Sequence, residues 1–193
     1  MDPQFYLASA SPRRRQLLEQ LGLRFEVVVA DVDESPKLRE SPRDYVLRVA
    51  RAKAEAVAAR LGGPRLPVLA ADTAVILDGA ILGKPKDREQ GLEMLSRLAG
   101  RTHQVSSGVA LWNKDRVKTA LSESKVRFRA VDAAEAAAYW DSGEPRDKAG
   151  GYGIQGLGAV FVEHLEGSHS GVMGLPLAET AALLQEAGIG VLK

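Results

Sequence analysis

Ten residues, Val68-Leu69-Ala70-Ala71-Asp72-Thr73-Ala74-Val75-Ile76-Leu77, most constrain what this chain can fold into. The run is apolar except at its middle and reads as a buried strand. A carboxylate there is expensive unless it is ion-paired, hydrogen-bonded or metal-bound. Asp72 is therefore the residue whose placement most demands a reason, either a structural pairing or a chemical role. Asp78-Gly79 then forms a tight hairpin turn, and Ala80-Ile81-Leu82 returns as a strand.

Before this run, Phe5-Tyr6-Leu7-Ala8 reads as a short strand and Phe25 to Val29 as a second. Between them Ser11 is an N-cap, Pro12 takes the first helical position, and Gly22 stops the helix. Arg13, Arg14 and Arg15 thus fall in the first turn, where the helix dipole favours acids. Either the three are solvated surface charges or an anion docks on them. Free backbone N–H groups and guanidinium forks together suit phosphate. A second helix starts at Ser41-Pro42, runs to about Leu61 and stops at Gly62-Gly63. Lys53 shares its apolar face with Val46, Val49, Ala50 and Val57. Its stem could snorkel, or its ammonium could enter a cleft. The acidic stretch Asp31 to Glu34 follows a strand end, where α/β folds bind ligands.

Gly83-Lys84-Pro85 is a near miss to a Walker A loop: three residues rather than four separate Gly79 from Gly83, and proline replaces the required hydroxyl. A P-loop is rejected, but Lys84 can still reach a phosphate as a point charge. Asp87 with Gln90 predicts a capping box before a helix that ends at Gly100. Val105 to Trp112 reads as a strand, and Arg116 to Arg129 as one long strand or two short ones. Asp132 and Glu135 cap an alanine-rich helix ending near Gly143. Five of the nine residues from 150 to 158 are glycine, a density that lets backbone approach a ligand. Gln155 within it offers a donor and an acceptor, which suits a base edge. Ala159 to Val162 is expected to pin this loop as a strand. Gly167 to Gly171 is expected to be turns, and Leu177 to Ala187 a last helix.

Interspersed strands and helices predict an α/β fold, a mixed twisted sheet with flanking helices in a single domain spanning 1–193. A net charge of +1 leaves no global pull toward nucleic acid or membrane. The absence of cysteine excludes disulfides, thiol nucleophiles and zinc–thiolate sites. The N-terminus lacks a signal-peptide pattern and no run is long enough to span a membrane, so a cytoplasmic protein is expected. His103, His164 and His169 show no metal-ligand spacing, and Trp112 and Trp140 read as core or interface residues. Cations at Arg13, Arg14, Lys53 and Lys84 with carboxylates at Glu34 and Asp72 suggest metal-assisted chemistry at a polyphosphate. Carboxylate oxygens suit Mg²⁺ or Mn²⁺.

The motifs Ala8-Ser9-Ala10-Ser11-Pro12-Arg13-Arg14, Asp33-Glu34, Arg51-Ala52-Lys53-Ala54, Ala71-Asp72-Thr73, Gly83-Lys84-Pro85-Lys86, Asp147-Lys148-Ala149-Gly150, Gly153-Ile154-Gln155-Gly156 and Gly174-Leu175-Pro176-Leu177 occur in the order of the Maf family. The resemblance covers essentially the whole chain. It implies two lobes around a nucleotide-binding cleft, of the ITPase-like kind. It also implies a cytoplasmic, often dimeric, metal-dependent pyrophosphatase with a house-cleaning role. Such an enzyme splits nucleoside triphosphates into monophosphate and pyrophosphate. Arg13, Thr73 and Gln155 resemble the branch acting on dTTP, UTP and related pyrimidines rather than the sister branch acting on 7-methyl-GTP. By the same resemblance Asp72 is the proton acceptor, and Glu34, with Asp72, a metal ligand. Arg14, Lys53 and Lys84 hold the triphosphate, helped by Ser9, while Arg13, Thr73 and Gln155 select base and sugar. Gly151, His169 and Gly171 depart from the usual pattern. Against this stand the sister specificity and a non-catalytic nucleotide-binding regulator of cell division. A DNA-binding module is disfavoured by the charge balance.

Overall fold

The computed structural model describes residues 2–192. Seven strands form one mixed sheet: β1 (Phe5–Leu7), β2 (Phe25–Val27), β3 (Val68–Leu77), β4 (Ala80–Leu82), β5 (Thr102–Asn113), β6 (Arg116–Phe128) and β7 (Val162–Glu166). The order is β2-β1-β3-β5-β6-β7, with β4 also on β3. β1 is parallel to β2 and β3, and every other pair is antiparallel. Six helices flank it: α1 (Pro12–Gln20), α2 (Pro42–Arg60), α3 (Arg88–Leu98), α4 (Ala133–Asp141), α5 (His169–Met173) and α6 (Leu177–Glu186).

β3 is buried along its length because both its faces are covered. Leu69 and Ala71 pack with α1 and α6, through Leu18 and Leu184, and with Leu175 just before α6. Further along that face, Val75 and Leu77 enter a second core with Leu95, Leu98, Phe128 and Tyr139. On the opposite face, Val68 and Ala70 pack under α2 on Ala50, Ala54 and Val57, and Ala74 and Ile76 on Val46. One strand thus runs through two lobes.

The cleft arises from how β3 is paired. β5 holds one edge of β3 from Val68 to Ile76. The other edge is shared: β1 pairs at Val68 and Leu69, and β4 at Val75 to Leu77. Ala70 to Ala74 has no strand on that edge, so the sheet is split at Asp72 and Thr73. Chain leaving the end of β1 opens over a gap, the kind of crevice where α/β sheets bind ligands. Gly108, paired with Asp72 on β5, lets α2 lie close. A Cβ there would sit 2.7 Å from the Val46 carbonyl oxygen.

Local chemistry sets the ends of the helices. Ser11, Ser41, Asp87 and Asp132 each accept a first-turn N–H, and Pro follows both serines. Asp132 and Glu135, expected to cap α4, do so as a capping box. Gln90 departs from prediction, since its side chain takes the N–H of Lys86, not of Asp87. The stretch from Arg116 is a single strand. Two further expectations fail. Leu157–Phe161 is a 3₁₀ helix, with the strand beginning only at Val162, and His169–Met173 is a short helix capped by Ser168 rather than a set of turns.

Candidate active site

Asp72 leaves β3 on the face that α2 covers. Lys53, on the buried face of α2, places its Nζ 2.8 Å from Asp72 Oδ1 and 2.9 Å from Glu34 Oε1. Lys53 therefore does not snorkel. It is buried and joins the strand carboxylate to the half-exposed carboxylate of the acidic loop. Asp72 Oδ2 is buried and has no partner. Burial pushes the Asp72 carboxyl above its ordinary value, and the charges of Lys53 and Arg14 reduce that rise without cancelling it. The loop bearing Glu34 is tied down one residue on, where Arg48 donates to the Ser35 carbonyl at 3.0 Å. Arg48 in turn is held by the Glu40 carboxylate at 2.5 and 2.8 Å.

The opposite wall is built on the first turn of α1. Arg14 donates from Nε to the Gly174 carbonyl at 2.8 Å, and from its two terminal nitrogens to Ser9 Oγ at 3.2 Å and Thr73 Oγ1 at 3.4 Å. A guanidinium has five N–H donors, so two remain for a ligand. The two hydroxyls beside it have opposite polarity. Ser9 Oγ accepts from Arg14 and from the Ser11 N–H, which leaves its own hydrogen free. Thr73 is the reverse. Ser107 must give its hydrogen to the Gly171 carbonyl 2.7 Å away. The 2.8 Å bond between Thr73 and Ser107 then takes the hydrogen of Thr73. Thr73 offers an incoming ligand only a lone pair, whereas Ser9 offers only a donor.

Arg13 reaches across the mouth to Asp147, at 3.1 Å. Lys84 stands exposed after β4, and Gln155 stands exposed on the glycine-rich loop. All the residues singled out from sequence line one cavity of about 520 Å³: Ser9, Arg13 and Arg14, Glu34, Lys53, Asp72 and Thr73, Lys84 and Gln155. Arg15, the third of the arginine run, does not line it.

Sequence reasoning missed three contributors. Tyr45 lines the same cavity, and its hydroxyl is pushed up to about 12, by burial first and then by the charges of Asp72 and Glu34. Its signal was its position two turns before Lys53 on one helix face. Asp147 was visible in a motif, but its partner Arg13 lies far off in sequence. Ser107 carried no signal, because only the sheet register sets it opposite Thr73.

Among the described residues no three His, Cys, Asp or Glu gather into a metal cage. Glu34 and the unpartnered Asp72 Oδ2 nevertheless fit a hard cation of the Mg²⁺ type. Such ions commonly take one or two carboxylates and complete their shell with water and substrate phosphate.

A split mixed sheet, with cations on both walls around a buried carboxylate, defines an α/β protein with a site built for a polyphosphate ligand. The fold resembles that of the Staphylococcus aureus Ham1 protein, with a TM-score of 0.53 at 16% identity over 95% of this chain and 96% of that one. The chain belongs to the Maf family: residues 4–187 match the family described as Maf-like protein. Among its relatives is a dTTP/UTP pyrophosphatase of Alkalilimnicola ehrlichii, 56% identical over 95% of this chain and 93% of that protein. Proteins of the same name are 54% identical in Bordetella parapertussis, over 98% and 95%, and 50% identical in Methylobacillus flagellatus, over 96% and 94%.

Proposed function

We propose that this chain is a nucleoside triphosphate pyrophosphatase that hydrolyses dTTP and UTP to the monophosphate and pyrophosphate, in the cytoplasm where such nucleotides reside. The relatives' names and the Maf family support the reaction. The observation that carries it is the cavity itself, where a buried carboxylate with one free oxygen faces a ring of cations.

Asp72 Oδ2 has no partner in the protein, which leaves it a lone pair for a water. The water attacks the α-phosphorus, its proton passes to Oδ2, and the bond from the α-phosphorus to the bridging oxygen breaks to release pyrophosphate. A carboxylate whose proton affinity is raised by burial is a better base than an exposed one. Arg14, Lys53 and Lys84 meet the charge that develops on the phosphates, already positioned and so without reorganisation. The free hydrogen of Ser9 suits a phosphate oxygen, which can only accept. Thr73, left with a lone pair, cannot bond to phosphate. It suits an O–H of the sugar or the N–H that thymine and uracil carry, consistent with a selecting role. Arg13 and Gln155 at the mouth complete recognition of base and sugar. Glu34 and Asp72 would hold a Mg²⁺ or Mn²⁺ ion, which when bound neutralises part of the phosphate charge.

Pyrophosphate release should be measured on dTTP, UTP, CTP and 7-methyl-GTP. The proposal expects dTTP and UTP to lead, and best turnover of 7-methyl-GTP would overturn it. Asp72→Asn should keep the fold and nucleotide binding while kcat falls by about 10²- to 10⁴-fold, the span of a lost general base.

A further inference from the structure

Gln155 is exposed on the cavity wall, and the backbone on either side of it determines where it stands. Two residues before it, the Gly153 N–H donates to Tyr139 Oη at 3.0 Å. Two and three residues after it, the N–H groups of Leu157 and Gly158 donate to Glu144 Oε2 and Oε1, at 2.8 and 3.1 Å. Tyr139 Oη itself donates to Glu144 Oε1 at 2.7 Å. Both flanks of Gln155 therefore end on one carboxylate.

The loop closes tightly over that group. A Cβ at Gly156 would lie 2.2 Å from Glu144 Oε2, and one at Gly158 would lie 2.7 Å from Tyr139 Oη. Glu144 is anchored in its turn, since Lys148 Nζ donates to its carbonyl at 2.6 Å and Tyr139 is buried in the second core. Burial pushes the Glu144 carboxyl up. The hydrogen bonds from Tyr139, Gly158 and Leu157 and the charge of Lys148 outweigh that and hold it below the usual carboxylate range. Glu144 is outside the cavity lining, so it acts on a ligand only through the loop. Past the loop, the Ala159 N–H donates to the Gly156 carbonyl at 3.0 Å and opens a 3₁₀ turn where a strand was expected.

We propose that Glu144, with Tyr139 as its bridge, is a positioning residue that sets base selectivity by fixing the loop that carries Gln155. The proposal rests on the reading of Gln155 as a base-facing residue, and the test separates the two.

The measurement is kcat/KM for dTTP and for dATP by pyrophosphate release. The proteins are the unsubstituted enzyme, Glu144→Gln, Tyr139→Phe, Gln155→Ala and the double variant that combines Glu144→Gln with Gln155→Ala. The ratio of the two values does not depend on how much of a preparation is folded. Tyr139→Phe, which loses one hydroxyl and little packing, keeps the test open if Glu144→Gln weakens the fold. The amide introduced by Glu144→Gln would turn donors toward backbone N–H groups, so the loop should lose its register. The dTTP-to-dATP ratio should fall about tenfold in each single variant, the scale of one misplaced hydrogen bond. The change should lie in KM, and the double variant should be no less selective than Gln155→Ala alone. The proposal is overturned if Gln155→Ala collapses the ratio while Glu144→Gln and Tyr139→Phe keep it. Additive losses in the double variant overturn it too. If Gln155→Ala itself leaves the ratio unchanged, the base-facing reading fails, and the proposal with it.

Discussion

Asp72 and Thr73 are consecutive on one strand, so their side chains leave it on opposite faces, yet both reach the cavity because the sheet is open beside them. Thr73 was singled out only through the resemblance to the Maf family, whereas Asp72 was legible in sequence because it breaks the apolar run that holds it. Arg14 was legible for a like reason, a cation at the wrong end of a helix. Tyr45, Ser107 and Glu144 break no local rule. A half-buried tyrosine, a strand serine and a glutamate after a helix are ordinary, and tertiary contact alone gives them a task. The Lys53–Asp72 pair makes a pH prediction. The Asp72 carboxyl lies above its ordinary value because burial outweighs the charges of Lys53 and Arg14. In the proposed role of base Asp72 must be ionised, so the acid limb of kcat/KM should lie above the usual carboxylate range. Lys53→Gln removes a charge that lowers this pKa, so the limb should move to higher pH as the rate falls, read from pH profiles on dTTP. A limb that stays put would show that another group titrates there. His103 gives a second prediction, on stability. Its ring is buried, Nε2 is 2.7 Å from Tyr152 Oη, and burial lowers its pKa from 6.5 to about 4. The unfolded chain then binds a proton that the folded one refuses between these values, so stability is lost as pH falls through that window. At about 1.4 kcal/mol for each pH unit, the loss approaches 3 kcal/mol by pH 4. His103→Gln should remove this part of the acid sensitivity, measured as denaturation midpoints at pH 7 and pH 4.5.

Elements bounded by caps and turn residues could be read from sequence because their signals are local. Ser11-Pro12, Ser41-Pro42 and Asp132 with Glu135 mark helix starts that the structure reproduces. Elements decided by distant partners could not. Ala159 to Val162 has the composition of a strand, but the Ala159 N–H turns back to the Gly156 carbonyl in a 3₁₀ helix, and of the four only Val162, opposite Phe128, joins the sheet. β5 and β6 meet through Lys114 and Asp115, both left-handed, at φ 49° and 62°. Neither is glycine, and L-residues in that region are strained. The other tight turn, Asp78-Gly79, has a glycine at its second position, with φ 78°. Lys114→Asn with Asp115→Gly supplies the pair that such hairpins prefer. The turn is exposed and distant from the cavity. The double variant should therefore gain about 1 kcal/mol of stability, seen as a higher urea midpoint at unchanged slope, with activity unaltered.

At the scale of the molecule, the question is whether the lobes on either side of the cleft unfold as one. The apolar residues of β3 enter the cores of both lobes, and β5 accompanies it along nearly its whole length. Separating the lobes would break these two strands in the middle and expose apolar surface from both cores. We therefore expect a single domain with one cooperative transition, in which calorimetric and van't Hoff enthalpies agree. Two resolved transitions would show that the lobes are separate domains. The cleft makes this expectation sharper. Its ligand would touch α1 and the glycine-rich loop at once, walls that Arg13 and Asp147 already join across the mouth. A ligand bound only to the folded form at about 100 times its Kd adds about 2.7 kcal/mol. For a chain of this size each kcal/mol raises Tm by about 2–4 °C. An analogue of dTTP with a methylene bridge between the α and β phosphates cannot be cleaved. It should raise the whole transition by about 5–10 °C, without splitting it. If it raised only part of the heat absorption and left the rest at its original temperature, the ligand would be stabilising one lobe, and the cleft would not be a site shared between them.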